Sequence, residues 1–228
     1  MELNALLATP ALLPSLPRAV ALLMSELAHE EPNLRRVNQL FGTDPALAAR
    51  LLEKANSDAF AGPRTVAGIS EALALLGTAD LRELVSTAPL GTASRSVPGL
   101  NLQQFWRYNL YTACTARWLA HRIDVNSDRV FTLGLLHAIG QLQMHTVAAS
   151  AMVSLDQQMG VLAPGRAQLE KQTLGFDHGD VSAELARVWN FPLPLTEALR
   201  HIAQPLAAPE FLEASALVHL GAWRARAD

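Results

Sequence analysis

His137 closes an apolar, helix-compatible run, Phe131-Thr132-Leu133-Gly134-Leu135-Leu136. A histidine nitrogen beside a carboxylate can help to hold a divalent cation that acidifies bound water. The residue after His137 is Ala138, and a methyl group holds nothing. A second cluster, Asp177-His178-Gly179-Asp180, offers two carboxylates and an imidazole. Its spacing puts the three side chains on different sides of a helix start, where Asp177 serves better as an N-cap. Cys114 lies in an alanine-rich stretch and reads as a small core residue rather than a nucleophile. His121, His145 and His219 stand in no motif and read as surface or capping residues. Asn56-Ser57 falls at a helix end, where that pair does turn chemistry.

The composition bounds what these residues can be part of. The chain has 228 residues, enough for one large domain or two small lobes with a real core. Half of the residues are apolar and 17% are charged, with net charge −3 and pI about 6.2. Nothing in that balance attracts nucleic acid or an anionic membrane as a whole. One cysteine excludes an intrachain disulfide and is compatible with a reducing compartment. No basic residue precedes Arg18, and Pro10, Pro14 and Pro17 interrupt the start, a poor secretory signal that leaves a cytoplasmic location expected. Val130 to Leu155 contains no Asp, Glu, Lys or Arg and is long enough to span a bilayer. His137, Gln141, Gln143 and His145 would each be costly in lipid, so a buried helix of a soluble protein is the expectation, with no membrane partner.

The elements that must position the histidines are helices; no sustained strand-type alternation occurs. Pro17 opens a helix with Val20, Leu23, Met24 and Leu27 at helical spacing. A short helix over 32–41 turns Leu34, Val37 and Leu40 inward, and Asp44 caps the next, which Pro45 begins and Leu47, Leu51 and Leu52 bury. Ala61-Gly62-Pro63-Arg64 reads as a loop, followed by helices over 70–76 and 79–86 broken at Gly77. Gly, Ser, Thr and Pro cluster over 91–99 and mark the clearest boundary. Beyond it follow helices over 102–123, with Leu102, Phe105, Trp106, Ala113, Ala116 and Ala120 as the apolar stripe, and over 128–146, 149–159, 164–174, 177–189, 195–203 and 210–224. The expectation is an all-α protein.

In this order the landmarks resemble those of the HDOD domain, the HD-related output domain of bacterial signalling proteins. The resemblance runs from Leu13-Pro14-Ser15-Leu16-Pro17 through Asp44-Pro45-Ala46-Leu47-Ala48-Ala49-Arg50-Leu51-Leu52 and Ala55-Asn56-Ser57. Ile69-Ser70-Glu71-Ala72 and Leu75-Leu76-Gly77 continue it, then Phe105-Trp106-Arg107, Gly134-Leu135-Leu136-His137 and Ile139-Gly140. It ends with Leu174-Gly175-Phe176-Asp177-His178 and Trp189-Asn190-Phe191-Pro192, so that it covers roughly residues 8 to 205. It implies a single two-lobed domain over 8–228, with an N-terminal helical lobe over 8–90, a linker over 91–99 and a C-terminal lobe over 100–228. That second lobe is expected to be a degenerate HD-phosphohydrolase-like helical fold.

The resemblance also implies where metal ligands would stand, and the sequence departs at most of those positions. The first expected histidine is Tyr108, a phenol and a poor ligand for the usual divalent ions. His137 is present, but its neighbouring aspartate is Ala138. His178 is kept. Further histidines would fall at Ile202 and Ala203, with His201 one position away, and a last aspartate near Ala222. Two neutral imidazoles and no carboxylate remain, short of the roughly three protein ligands a catalytic ion needs. The expectation is a vestigial pocket of Tyr108, His137, Ala138 and His178, with no metal or other cofactor and no catalytic residue. His137 and His178 then read as core histidines bonded to each other, to Tyr108 or to backbone.

The leading expectation is therefore a non-enzymatic bacterial regulatory module that works through protein partners, with a homodimer as one form of association. Motility, stress and second-messenger pathways enter through the resemblance alone. A nucleotide-type sensor using the degenerate pocket, with Arg107, Arg117 and Arg200 as anion contacts, is the alternative. A residual metal-dependent phosphohydrolase stands below it. So does a DNA-binding regulator, in which the helices over 32–41 and 45–56 mimic a helix-turn-helix presenting Arg50 and Lys54.

Overall fold

A computed structural model of the chain describes residues 2–8, 13–60, 62, 65–90 and 97–227. The described residues are helical, with one isolated bridge between Ser15 and Leu90 and no strand. The first helices are α1 (Leu3–Ala8), α2 (Pro17–Leu27), α3 (Leu34–Phe41), α4 (Pro45–Ala55), α5 (Ile69–Leu75) and α6 (Thr78–Ser86). After 97 come α7 (Leu102–Ala120), α8 (Ser127–Leu136), α9 (Ile139–Val147), α10 (Ala149–Gln158), α11 (Arg166–Leu174), α12 (His178–Val188), α13 (Leu193–His201) and α14 (Glu213–Ala227). Most of the expected loop at 61–64 and positions 91–96 of the expected linker lie outside the described residues.

The first lobe is organised around α4. Asp44, fully buried, accepts the N–H groups of Ala46 (2.8 Å) and Leu47 (3.0 Å) and also that of Leu16. One side chain thus caps α4 and fixes the entry to α2. Leu47, Leu51 and Leu52 are buried as expected, together with Ala46, Ala48, Ala49 and Ala55. At the other end Asn56 takes both backbone groups of Val66, donating to its carbonyl (2.9 Å) and accepting its N–H (2.8 Å). The inward assignment of Leu34 fails. Leu34 is 58% exposed and Met24 39% exposed, because α2 and α3 bury narrow stripes, Ala19, Leu23 and Leu27 on one and Val37 and Phe41 on the other.

The lobes are joined along α5 and α8. Thr132 accepts the Ile69 N–H (3.2 Å), Ser70 donates to Asp128 (3.0 Å), and Arg129 pairs with Glu71 (2.9 Å). α1, which no sequence signal announced, packs on α9 and α12, and its Leu6 carbonyl accepts a hydrogen bond from Gln143 Nε2 (2.9 Å). The second lobe is built on the α7–α8 and α7–α14 pairs.

The single helix expected over 128–146 is two helices. α8 ends at Leu136, and the chain turns at His137-Ala138 before α9 begins at Ile139. The turn is fixed by Ser182 of α12, whose hydroxyl accepts the Gly140 N–H (2.9 Å) and reaches the carbonyls of His178 (2.8 Å) and His137 (3.2 Å). The uncharged stretch over 130–155 is consequently split among three helices. No helix of the described residues is long and apolar enough to cross a membrane.

Candidate functional site

The positions that the resemblance singled out surround one cavity of about 120 Å³ in the second lobe. Tyr108 reaches it from α7, His137 and Ala138 from the α8–α9 turn, Gln141 from α9 and His178 from the start of α12. Ile202 and Ala203 follow α13, and His219 and Ala222 come from α14. The fold therefore does converge on the site, with a phenol and apolar side chains at most of the expected ligand positions.

His137 is buried and its Nδ1 lies 2.6 Å from the Gly134 carbonyl. Burial drives its pKa down to about 3, and the nearby cationic side chains of His178 and Arg226 add to this against the Gly134 bond. The imidazole is thus neutral, with Nδ1–H donating and Nε2 as a buried lone pair without a hydrogen-bond partner among the described residues. Its ring lies against Tyr108, with centroids 5.2 Å apart and planes tilted by 57°. Burial also pushes the Tyr108 hydroxyl up, so it stays protonated.

His178 has a different environment, one that sequence reasoning missed. Its Nδ1 lies 2.7 Å from Glu170 Oε2, and the same oxygen accepts the His178 backbone N–H (2.9 Å). Glu170 is fully buried and also accepts from Arg166 Nε (2.7 Å) and Gln141 Nε2 (2.5 Å). Arg166, 1% exposed, continues to Asp156 (2.7 Å) and to the Met159 carbonyl (2.6 Å). Asp156 in turn meets His145 Nε2 (3.2 Å), whose Nδ1 is bonded to the Gln141 carbonyl (2.7 Å). A buried polar tie therefore links α9, α10, α11 and α12.

Three expectations change. A carboxylate does stand at the site, because Glu170 arrives from α11 rather than from an expected ligand position. His145, read as a surface or capping residue, is fully buried. The surroundings of His178 favour its charged form. Burial pushes its pKa down, but the charge and hydrogen bond of Glu170, with Asp177 behind them, raise it above the ordinary 6.5. Burial likewise works against the Glu170 carboxylate, yet His178 and Arg166 bring its pKa down to about 2. The one sequence signal for this tie was the opposite charges of Arg166 and Glu170 at i,i+4.

Both imidazoles have Nδ1 on an oxygen acceptor, the arrangement that orients a metal-ligating histidine. The rest of the donor set does not fit a catalytic divalent ion. Tyr108, Ala138, Ile202 and Ala222 supply no carboxylate or imidazole, and the Glu170 oxygens are taken by Arg166, Gln141 and His178. Among the described residues no three His, Cys, Asp or Glu side chains are grouped to hold an ion.

The other singled-out residues are accounted for locally. Asp177 caps α12 through the N–H groups of Gly179 (2.8 Å) and Asp180 (3.0 Å), as expected. Asp180 pairs with Lys171 (2.6 Å) and Arg200 (3.3 Å), and Arg200 also holds Glu184 (2.8 Å). Arg117 lies over the Phe131 ring at 4.5 Å, while Arg107 and His121 are exposed. His219 Nδ1 is 2.8 Å from the Ile202 carbonyl at the end of α13. Cys114 is exposed rather than in the core, because α7 buries the stripe of Ala113, Ala116 and Ala120 beside it. In the helix pair that mimics a helix-turn-helix, Arg50 donates to Thr87 (2.9 Å) and Lys54 to Glu83 (2.6 Å), and α4 itself is buried.

Comparison with known proteins agrees with this architecture. The structure is similar to that of the MmoQ response regulator from Methylococcus capsulatus str. Bath, with TM-score 0.79 and 24% identity, covering 94% of this chain and 86% of that one. A virulence factor from Campylobacter jejuni subsp. jejuni superposes with TM-score 0.74 at 24% identity, covering 96% and 81%. A protein from Shewanella amazonensis SB2B that carries a provisional phosphohydrolase name matches with TM-score 0.56 and 28% identity over 97% and 80%. In sequence, an uncharacterised protein of Treponema pallidum (strain Nichols) is 24% identical over 205 residues. Those residues are 87% of this chain and 39% of the relative's length. The C-terminal lobe shares the HD-phosphohydrolase-like helical fold, and the HDOD domain model matches residues 13–205. The chain belongs to the HDOD domain family.

Proposed function

We propose that the protein is a non-enzymatic regulatory module of a bacterial signalling pathway, acting by association with protein partners. The observation that carries this reading is the composition of the central cavity. Tyr108, Ala138, Ile202 and Ala222 stand at four positions where the family's hydrolase relatives would place ligands, and the site's carboxylate is spent inside the tie. Signalling is supported by the family and by the response-regulator description of the Methylococcus relative. The Shewanella relative's provisional name favours hydrolysis instead, and the donor set argues against carrying it over. The buried position of α4 argues against its use as a DNA-reading helix.

The test is elemental analysis of the purified full chain, followed by assays of phosphomonoester, phosphodiester and nucleotide hydrolysis with Mg²⁺, Mn²⁺, Fe²⁺ or Zn²⁺ added. The expected result is no stoichiometric ion and no turnover above a heat-treated control. A bound ion accompanied by turnover that is lost in both His137→Ala and His178→Ala would overturn the reading.

One observation favours a second reading, a small-ligand sensor. His137 Nε2, Gln141 Oε1 and Arg166 Nη2 are buried around the cavity without protein partners, two acceptors and one donor that a small polar molecule could satisfy. A thermal shift across a nucleotide panel tests it. A shift that disappears in His137→Leu supports the sensor, and none with any member sinks it.

A further inference from the structure

The α7–α14 pair has an inner face on the cavity and an outer face on solvent. The helices run antiparallel, with Gly221 against the backbone of Thr112 and Ala116, and with Ala225 and Arg226 opposite Gln104 to Tyr111. A Cβ on Gly221 would stand 2.6 Å from the Thr112 carbonyl oxygen, so the absence of one lets the backbones close. On the outside this leaves a groove of about 560 Å³ lined by Cys114, Trp118 and Leu119 of α7 and Leu220, Trp223 and Arg224 of α14. Trp118 is 55% exposed, Trp223 63% and Leu220 49%. Single exposed hydrophobes need no explanation, but two tryptophans and a leucine lining one recess mark an interaction site.

Among the described residues that line the groove, the charged side chains are basic. α7 contains no Asp or Glu, and α14 contains only Glu213, in its first turn. Arg122 stacks on Trp118 at 4.7 Å, Arg224 lines the groove, and Arg107 and Arg226 line the adjoining cleft. Neither lining includes a carboxylate among the described residues. In a chain of net charge −3 this face is cationic.

We propose that the outer α7–α14 groove is the docking site for an amphipathic helix of a partner protein, with an apolar anchor seated between Trp118 and Trp223 and carboxylates facing the flanking arginines. The proposal rests on the protein-partner reading above and adds to it a surface and a chemistry. A helix laid in a hydrophobic groove is a recurring recognition mode, and Trp and Arg dominate the energetics of such interfaces. A second copy bound by the same face would bring two arginine-flanked surfaces together, which charge disfavours. Exposed aromatics beside arginines could also stack nucleobases. The groove is also lined by Leu119 and Leu220, however, which suits an apolar side chain, and the chain's net charge opposes a polyanion.

Cys114 is the only cysteine and is exposed in the groove, so its alkylation rate reports occupancy. The full chain is titrated with fluorescent helical peptides of about 18 residues, one with a Leu/Phe stripe and Glu elsewhere and a twin with Lys for Glu. A single-stranded oligonucleotide and phosphatidylglycerol-containing vesicles complete the set. The acidic peptide is expected to bind at least tenfold more tightly than its twin, to weaken with salt and to slow Cys114 alkylation. Trp118→Ala and Trp223→Ala are each expected to cost tenfold or more in affinity with unchanged thermal melts, and Arg122→Glu to narrow the preference for the acidic peptide. Equal affinity for the twins, or no binding of the acidic one, overturns the proposal. Acidic-peptide binding that leaves Cys114 reactive refutes the groove and leaves the protein-partner reading standing. Tighter binding of the oligonucleotide or vesicles, or dimerisation that protects Cys114, assigns the face to another occupant and likewise overturns the proposal.

Discussion

Glu170→Gln tests whether the buried tie holds the second lobe together. The substitution keeps the size of the side chain and removes its charge. Arg166, 1% exposed, then keeps Asp156 as its charged partner, with neutral acceptors at the Met159 carbonyl and the new amide, and His178 loses its charged acceptor. Breaking one partner of a buried ion pair costs about 3–5 kcal/mol. The pKa of Glu170, about 2 against an ordinary 4.5, leads to a similar figure of roughly 3 kcal/mol at ~1.4 kcal/mol per tenfold change in proton affinity. For a chain of this size that is a fall in Tm of roughly 6–20 °C. The pH dependence has a defined sign. Burial lowers the His178 pKa, but Glu170 raises it further, to above 6.5, so the His178 share is complete below pH 6.5 and fades as pH rises through the raised value. The Glu170 share is complete above 4.5 and is lost as pH falls toward 2. The gap between wild type and variant should therefore be widest between pH 4.5 and 6.5. It should narrow at higher pH to the part owed to Arg166, which stays charged. Urea denaturation at pH 5.5 and 8.5, with the His178 imidazole followed by NMR, reads both effects. A gap under about 1 kcal/mol, or one that does not narrow with pH, would refute the reasoning.

Three further outcomes follow from single positions. Gly140→Ala would place a Cβ 2.1 Å from the His178 carbonyl oxygen and 2.8 Å from the Ser182 nitrogen; forcing α9 from α12 should cost about 1–3 kcal/mol or more, seen as a lower urea midpoint. His137, which burial keeps neutral down to about pH 3 in the fold, takes its proton near 6.5 when unfolded. Acidification should thus cost up to about 1.4 kcal/mol per pH unit below 6.5, and His137→Leu should show a shallower acid limb in Tm against pH; parallel limbs would contradict this. Asp44→Ala removes the α4 cap, worth about 0.5–2 kcal/mol, and leaves the Leu16 N–H without its acceptor for a further 1–3 kcal/mol or so. Hydrogen exchange at Leu16, Ala46 and Leu47 should accelerate together.

Helices whose ends carry their own chemistry were legible in the sequence. Asp44-Pro45, Asp177 and the prolines around 192–194 act within a few residues, so α4, α12 and α13 fall near their expected positions. The interruption at His137-Ala138 was not legible, because the residues on both sides are good helix formers. The cause is Ser182, more than forty residues later in the chain, meeting Gly140. Cavity positions could be placed by family landmarks, since each lies within or close to a recognisable motif. Glu170 could not. It sits in a helix of low apolar content with no landmark, and its partners Gln141 and His178 come from other helices. Leu34 and Cys114 show the complementary limit. Helical spacing gives the angle of a residue on its own helix, whereas exposure depends on how wide a face the neighbours cover.

The two groups of polar residues in the cavity differ in what the fold asks of them. A side chain that only ligates an ion can become Ala138, Ile202 or Ala222 without leaving a buried polar group unpaired. Glu170 cannot be removed so cheaply. It pairs with Arg166, accepts from Gln141 and from the His178 backbone, and through Arg166 holds Asp156 of α10. The carboxylate–imidazole contact that would orient a metal-binding histidine is here also the ionic tie between α11 and α12. Positioning residues of this kind persist on structural grounds whether or not an ion is bound, and a well-oriented His178 is weak evidence for catalysis. At the positions that the resemblance assigns to ligands, this chain carries a phenol, two methyl groups and an isoleucine.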